Sequence, residues 1–455
     1  MPVFEKRSAM PVPVDELYAW HARAGAFERL TPPWQRLHVV ERSGSIANGD
    51  RLVFEYGVGP VRRRWVALHR DHVEGGGFTD VQLEGPFEHW EHRHSFFPGD
   101  DATSLLQDHV DFGLPGPALA ARRAEGMARR QVERLFVFRH HRTWDDLARH
   151  AAYRDHPRLK VAITGGSGFV GGALTAFLTA GGHEVLRLTR RREAGPGWVH
   201  WDPDAGAIEA AALEGVDAIV HLAGASIAGL WTAGRRREIL ASRRQGTELI
   251  ARTAAGLERP PGVIVSASAV GYYGTRGAEE LTEESSSGDG FLAGVCRAWE
   301  DSLVPARQAG IRVVSTRFGL VLGGAGGLLA AMLPAFKVAA GARFGDGAQW
   351  MSWVAVDDVL GAVLTALLNE SLSGAVNVVA PQPVTNREFT AALARVLRRP
   401  AFLTAPRAVI ERGLGEMGQD LLLTSQRVLP ARLTAAGFTW LFPDLEGALH
   451  FELGR

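Results

Sequence analysis

Residues 161–171 read VAITGGSGFVG, and this run limits the possible folds more than any other part of the chain. Val161 to Ile163 are apolar and partly β-branched, the composition of a buried strand. Thr164 and Gly165 turn the chain, and Gly165, Gly168 and Gly171 recur at three-residue spacing. From Phe169 and Val170 onward the pattern (FVGGALTAFLTAGG) is helical. Glycines placed between a strand and a helix let the backbone turn tightly, approach an anion and pack helix on strand. The helix N-terminus adds free N–H groups and about half a positive charge. Such a turn suits a pyrophosphate; the alternative is a glycine-rich turn without a ligand.

The next strand, near residues 184–188, ends in Thr189, Arg190, Arg191 and Arg192 rather than in a carboxylate. An Asp or Glu there would accept the ribose 2′-hydroxyl of NAD, whereas a guanidinium suits the 2′-phosphate of NADP. Arg190 lies nearest the strand end, so the expected cofactor is NADP. An inward-pointing Glu193 would argue the other way.

A chain of 455 residues is too long for one core, and two or three domains are expected. Fifty Lys and Arg balance 50 Asp and Glu, so no overall field draws the chain to nucleic acid or a membrane. One cysteine, Cys296, excludes an intramolecular disulfide and fits a reducing cytoplasm. The first ten residues lack an apolar signal core, and no apolar run is long enough to span a bilayer. A cytoplasmic location is therefore expected.

A domain boundary is expected at 151–158, giving domains at 1–150, 159–380 and 381–455. The first reads as strand, helix, antiparallel strands and a long helix, an α+β order. Its helix is placed at about 117–138, with Leu119, Met127, Val132, Leu135 and Phe136 buried. Thr143 and Asp146 cap a further short helix, and His140 and His141 act as charge caps near a helix end. The second domain alternates strands (159–164, 184–189, 198–201, 217–222, 262–267, 311–318, 375–379) with helices, including 235–255 and 294–309. That alternation gives a doubly wound parallel sheet. The tail is a small helical subdomain whose Thr385 and Glu388 form a capping box.

The motifs TGGSGFVG (164–171), HLAG (221–224), SASAVGYYG (266–274), RFGLVLG (317–323) and WVAVDDV (353–359) resemble those of extended short-chain dehydrogenases/reductases. SRRQGTELI (242–250), FLAGVCRAWE (291–300), GDGAQWMSW (345–353) and the tail resemble the atypical branch called epimerase family proteins. LTPPWQRL and GPFEHWEHRHSF in the first domain are similar to the START-like, helix-grip cyclase/dehydrase group. The resemblances imply a Rossmann-like α/β domain that binds NAD(P), and an apolar ligand cavity in the α+β domain. They also imply that Leu222, Ala223, Gly224 and Ser266 line the cofactor site and that Ser268 takes the catalytic serine position.

Short-chain dehydrogenases pair that serine with a Tyr and a Lys, the Tyr exchanging a proton with the substrate oxygen. Counting back from Glu300 puts those two positions at Phe291 or Leu292 and at Val295 or Cys296, so the pair is absent. The thiol of Cys296 is a weak substitute, and Tyr272 or Tyr273 either replaces the missing acid or packs under the nicotinamide. Gln349, Trp350 and Trp353 read as pocket lining or as core. Arg317 either anchors an anionic substrate group or pairs with Asp357 or Asp358.

On a strand, His92 and His94 share a face with Trp90. Two imidazoles need a third ligand from elsewhere to hold zinc; hydrogen-bonded cavity histidines are the expected role, and no metal is expected. The expected function is that of an NADP-dependent oxidoreductase or epimerase acting on a small hydroxyl or carbonyl substrate. The alternatives are a catalytically silent NADP sensor or scaffold, or a lipid or polyketide carrier.

Overall fold

The computed structural model describes residues 2–35, 37–58, 61–100, 102–191, 195 and 197–455, so Arg192 and Glu193 lie outside the described residues. The chain divides into two compact units: residues up to 157 with 176–183 and 454, and residues 158–175 with 184–453 and 455.

The first unit opens with β1 (Val3–Met10), α1 (Val14–Ala22) and α2 (Ala26–Leu30). Six strands follow: β2 (Leu37–Ser43), β3 (Arg51–Val58), β4 (Val61–Val73), β5 (Gly77–Glu84), β6 (His89–Pro98) and β7 (Ser104–Gly113). They form one antiparallel sheet in the order β1-β7-β6-β5-β4-β3-β2. Alternation sets its faces: Leu106, Val110 and Phe112 of β7 are buried while Leu105, Gln107, His109 and Asp111 are half-buried. Asp108 occupies one of these inward positions, as do His92 and His94 on β6 beside Trp90 and Phe96.

α3 runs unbroken over Ala118–Ala151, so the separate short helix expected after Phe138 does not exist. The Thr143 hydroxyl donates to the Arg139 carbonyl one turn back, which lets a cap-type residue sit inside a helix. Asp146 instead takes a bidentate pair from the buried Arg29 at 2.7 and 2.6 Å. His140, expected near a helix end, lies more than two turns inside α3. Val132 and Phe136 are buried as expected, but Met127 is 64 % exposed; the Leu119 side chain lies outside the described residues.

The second unit holds an eight-stranded sheet. β8 (Lys160–Thr164) is central; β9 (Glu184–Thr189), β10 (Trp198–Asp202) and β11 (Ala207–Ile208) extend it on one side. β12 (Ala218–His221), β13 (Val263–Ala269), Arg312–Phe318 and Gly374–Val378 extend it on the other. All pairings are parallel except that of β11. The strand order reverses at β8, leaving a crevice beyond the carboxyl ends of β8 and β12, where open α/β sheets take ligands. The helix expected over 294–309 is two, Phe291–Asp301 and Val304–Gln308, because Pro305 opens the second and has no N–H to continue the first.

The tail is helical over Asn386–Leu397, Arg407–Leu422, Ala431–Ala435 and Leu445–Leu453. The Thr385–Glu388 capping box forms in full. Its core joins Phe389, Leu393 and Leu449 to Trp353 and Phe336.

Candidate functional site

α4 (Phe169–Ala180) begins directly behind the glycine turn, and the turn has the close contacts that the spacing demands. Gly165 adopts φ +70°, a conformation that costs other residues strain. A Cβ on Gly171 would stand 2.2 Å from the Gly165 carbonyl oxygen, so helix and turn touch backbone to backbone. Gly168 donates its N–H to Gly165 at 2.9 Å and is exposed, which leaves its outer face open. The half-buried Phe169 ring lies against Gly323 and Gly326, where a Cβ would meet it at 2.3 and 2.5 Å. Val170 is half-buried behind it.

Thr164 is wholly buried and does not face the crevice. Its hydroxyl accepts from the N–H groups of Leu222 and Ala223 at 3.1 and 3.2 Å and lies 2.8 Å from His221 Nδ1. With two bonds accepted, its proton goes to Nδ1, so the imidazole is neutral. Burial pushes the His221 imidazole down to about 4, in keeping with this. Thr164 therefore ties the HLAG loop to the glycine turn, and Gly224 lies against the Arg243 guanidinium. Ser266 is also wholly buried, and its hydroxyl contacts the Ala267 carbonyl rather than a cleft.

Arg190, at the end of β9, is 73 % exposed and has Asp204 at 4.0 Å. Arg187, three residues earlier, stacks on Trp198 at 3.9 Å and lies beside Gly166 of the turn.

Strand register builds the second half of the site. Ser268, Arg317 and Asn377 are neighbours across three adjoining strands. The Ser268 hydroxyl donates to Glu300 at 2.7 Å. Arg317 grips the same carboxylate with two bonds of 2.8 Å and donates to the Tyr273 hydroxyl at 2.9 Å. Tyr273 passes its own proton to Asn377 at 2.7 Å. Arg317 thus pairs with Glu300, not with Asp357 or Asp358, and its charge is already matched. Burial would lower its proton affinity, but Glu300 outweighs that and keeps it charged.

Three groups are thereby fixed in their protonated forms. Burial pushes the Tyr273 phenol up to about 12. Burial, aided by Glu300, pushes the Cys296 thiol up to about 11, and its S–H is turned to the Ala269 carbonyl. Ser268 is 2 % exposed with its proton on Glu300. Tyr272 differs: it is half-buried, the Arg317 guanidinium lies 3.4 Å over its ring, and its hydroxyl has no hydrogen-bond partner among the described residues.

The three residues read as pocket lining separate. Gln349 and Trp350 line a cleft of about 530 Å³ with Phe344, Arg407 and Ser425. The Gln349 amide is already used on the Phe344 and Leu422 carbonyls. Trp353 is wholly buried, with its indole N–H on the Gln382 carbonyl, and belongs to the core. Glu300 and Arg243 join the site without having been singled out for it; a Glu hydrogen-bonded across 32 residues leaves no local pattern.

The first unit contains a cavity of about 930 Å³ walled by aromatic and aliphatic side chains such as Phe27, Phe54, Trp65 and Val132. His69, Asp80, His92 and His94 also line it. Burial alone would lower the His94 imidazole, but Asp108 and Asp80 outweigh it and push it up to about 9. Burial and the facing His94 push His21 down to about 3.

The model of the NAD dependent epimerase/dehydratase family matches residues 161–379, a domain of unknown function (DUF1731) matches 405–451, and polyketide cyclase/dehydrase and lipid transport matches 10–137. An epimerase family protein of Mycobacterium tuberculosis is 42 % identical over 296 residues, covering 65 % of this chain and 98 % of that one. A nucleoside-diphosphate sugar epimerase structure from Corynebacterium glutamicum is 35 % identical, with TM-score 0.81 over 99 % of this chain and 90 % of that one. Human epimerase family protein SDR39U1 (isoform 2), solved with NADPH, is 34 % identical, with TM-score 0.61 over 65 % of this chain and 99 % of that one.

Proposed function

We propose, from the premise that this chain belongs to the epimerase family proteins, that it binds NADP(H) in the crevice of its parallel sheet and acts on a small hydroxyl or carbonyl compound. The glycine turn from Gly165 to Gly171 fits a pyrophosphate, because its contacts leave no room for a side chain at Gly171 and leave Gly168 open. Arg190 meets the 2′-phosphate, and the NADPH-bound human relative supports the same preference. When bound, the cofactor supplies or accepts hydride. Leu222, Ala223 and Gly224 hold its adjoining part, with Thr164 fixing that loop from behind.

The observation that carries the reading is the uncommitted phenol of Tyr272 beside an otherwise closed network. Tyr272 gives or takes the proton of the substrate oxygen. Arg317, held by Glu300, which also accepts from Ser268, fixes the ring from its face. Ser268 and Tyr273 are positioning residues. A positioned acid contributes about 10²–10⁴ in rate. Purified protein supplied with NADPH and a panel of carbonyl compounds should show turnover that Tyr272→Phe lowers by that factor while NADPH binding stays intact. Turnover equal to that of Tyr272→Phe on every compound refutes the catalytic reading.

The closed state of Tyr273, Cys296 and Ser268 favours a second reading, a catalytically silent NADP sensor. It predicts tight NADPH binding with no hydride transfer. The 930 Å³ cavity of the first unit suits an apolar ligand under either reading.

A further inference from the structure

Sequence spacing supplies two imidazoles on one face of β6, and the sheet brings a third ligand to them. Asp80 on β5 pairs in register with His92 on β6. Asp80 Oδ2 lies 3.5 Å from His92 Nδ1 and 3.3 Å from His94 Nε2. A tetrahedral zinc-type ion, bonded to N and O at about 2.0–2.1 Å, sets its ligand atoms roughly 3.3–3.4 Å apart. Both Asp80 legs fall at that spacing, and all three ligand atoms lie within 4.8 Å of one another.

The surroundings match a metal site as well as the ligands do. The other nitrogen of each imidazole meets one buried carboxylate: His92 Nε2 is hydrogen-bonded to Asp108 at 3.0 Å, and His94 Nδ1 approaches the same oxygen to 2.8 Å without hydrogen-bond geometry. Asp108 is held in turn by His140 Nε2 at 2.8 Å, and His140 Nδ1 contacts the Ser8 hydroxyl at 2.9 Å. The other oxygen of Asp80, Oδ1, is taken by His69 at 2.7 Å, so Oδ2 is the oxygen turned to His92 and His94. Carboxylates behind metal-binding imidazoles fix their tautomer and orientation. Asp80, His92 and His94 all line the cavity, while Asp108 does not.

We propose that Asp80, His92 and His94 bind one divalent transition cation of the zinc class, with an open coordination position facing the apolar cavity. That position takes the oxygen-bearing end of an otherwise apolar ligand. The site lies in the first unit and is independent of the NADP(H) reading.

The test uses the full chain, stripped with chelator and titrated with Co²⁺ alone, then with Zn²⁺ in competition. One equivalent of cobalt should give a visible d–d band that zinc abolishes. Asp80→Asn and His92→Gln should each lower the affinity at least 100-fold, with circular dichroism confirming their folds. Asp108→Asn should lower it by about 10–100-fold. Where a variant does not fold, the wild-type proton spectrum carries the test: cobalt should shift the resonances of two buried imidazoles. No cobalt band in the wild type overturns the proposal, as does binding that the folded variants leave unchanged or a spectrum in which no buried imidazole shifts. Failure here leaves NADPH binding untouched, so the two accounts fail separately.

Discussion

Gly171→Ala, with Gly172→Ala beside it, tests how the glycine turn is built. A Cβ at residue 171 would stand 2.2 Å from the Gly165 oxygen and 2.8 Å from its carbonyl carbon, where ordinary contacts begin near 3.4 Å. The clashing atoms are backbone and cannot rotate away, so helix and turn must separate by about 1 Å. Overpacking of that kind costs about 1–3 kcal/mol. The separation also displaces the N–H groups meant for the pyrophosphate, so NADPH affinity should fall at least tenfold, about 1.4 kcal/mol. At residue 172 the nearest atom to a new Cβ is 3.6 Å away, and alanine favours a helix over glycine by about 0.5–1 kcal/mol. Gly172→Ala should therefore raise the melting temperature slightly and leave affinity unchanged. Thermal unfolding and NADPH fluorescence titration of both variants decide this. Equal behaviour of the two variants would refute the backbone-contact argument.

Glu300→Gln leaves the Arg317 guanidinium, 4 % exposed, without its charge partner and should cost about 3–5 kcal/mol in urea unfolding. Tyr273→Phe removes the hydroxyl between Arg317 and Asn377 and should cost about 1–3 kcal/mol, without altering the pH profile of any turnover. His221 predicts a pH dependence. Its folded value near 4 lies below the ordinary 6.5, so the unfolded chain binds more protons between them. Stability contributed by this group is present above pH 6.5 and falls by about 3 kcal/mol as the pH drops through 4. The slope between pH 6 and 4 should flatten in His221→Asn by close to one proton.

The parallel sheet was legible because its strands are short apolar runs separated by helices, and the strand–glycine–helix unit carries its own geometry. The antiparallel first unit was legible in order but not at its end. Thr143 and Asp146 look like cap residues by type, and only the i−4 hydroxyl bond and the Arg29 pair show why the helix continues. The site was half legible. Ser268 and the two tyrosines stand out in SASAVGYYG, yet which phenol is free depends on Arg317, Glu300 and Asn377, brought from elsewhere by strand register. Asp80 escaped notice for the same reason: its relation to His92 is a cross-strand pairing. Gln349, Trp350 and Trp353 share one motif, but Trp353 turns into the core, which alternation alone does not reveal.

The central claim is that the glycine turn and Arg190 together hold NADP(H). Equilibrium titration of the purified chain with NADPH and with NADH, repeated on Arg190→Asp, tests it most directly. Saturable one-to-one binding is predicted, tighter for NADPH by roughly 10–100-fold as expected of a charged hydrogen bond, with the preference lost in Arg190→Asp. No saturable binding of either nucleotide, or equal affinities in the wild type, would contradict the account.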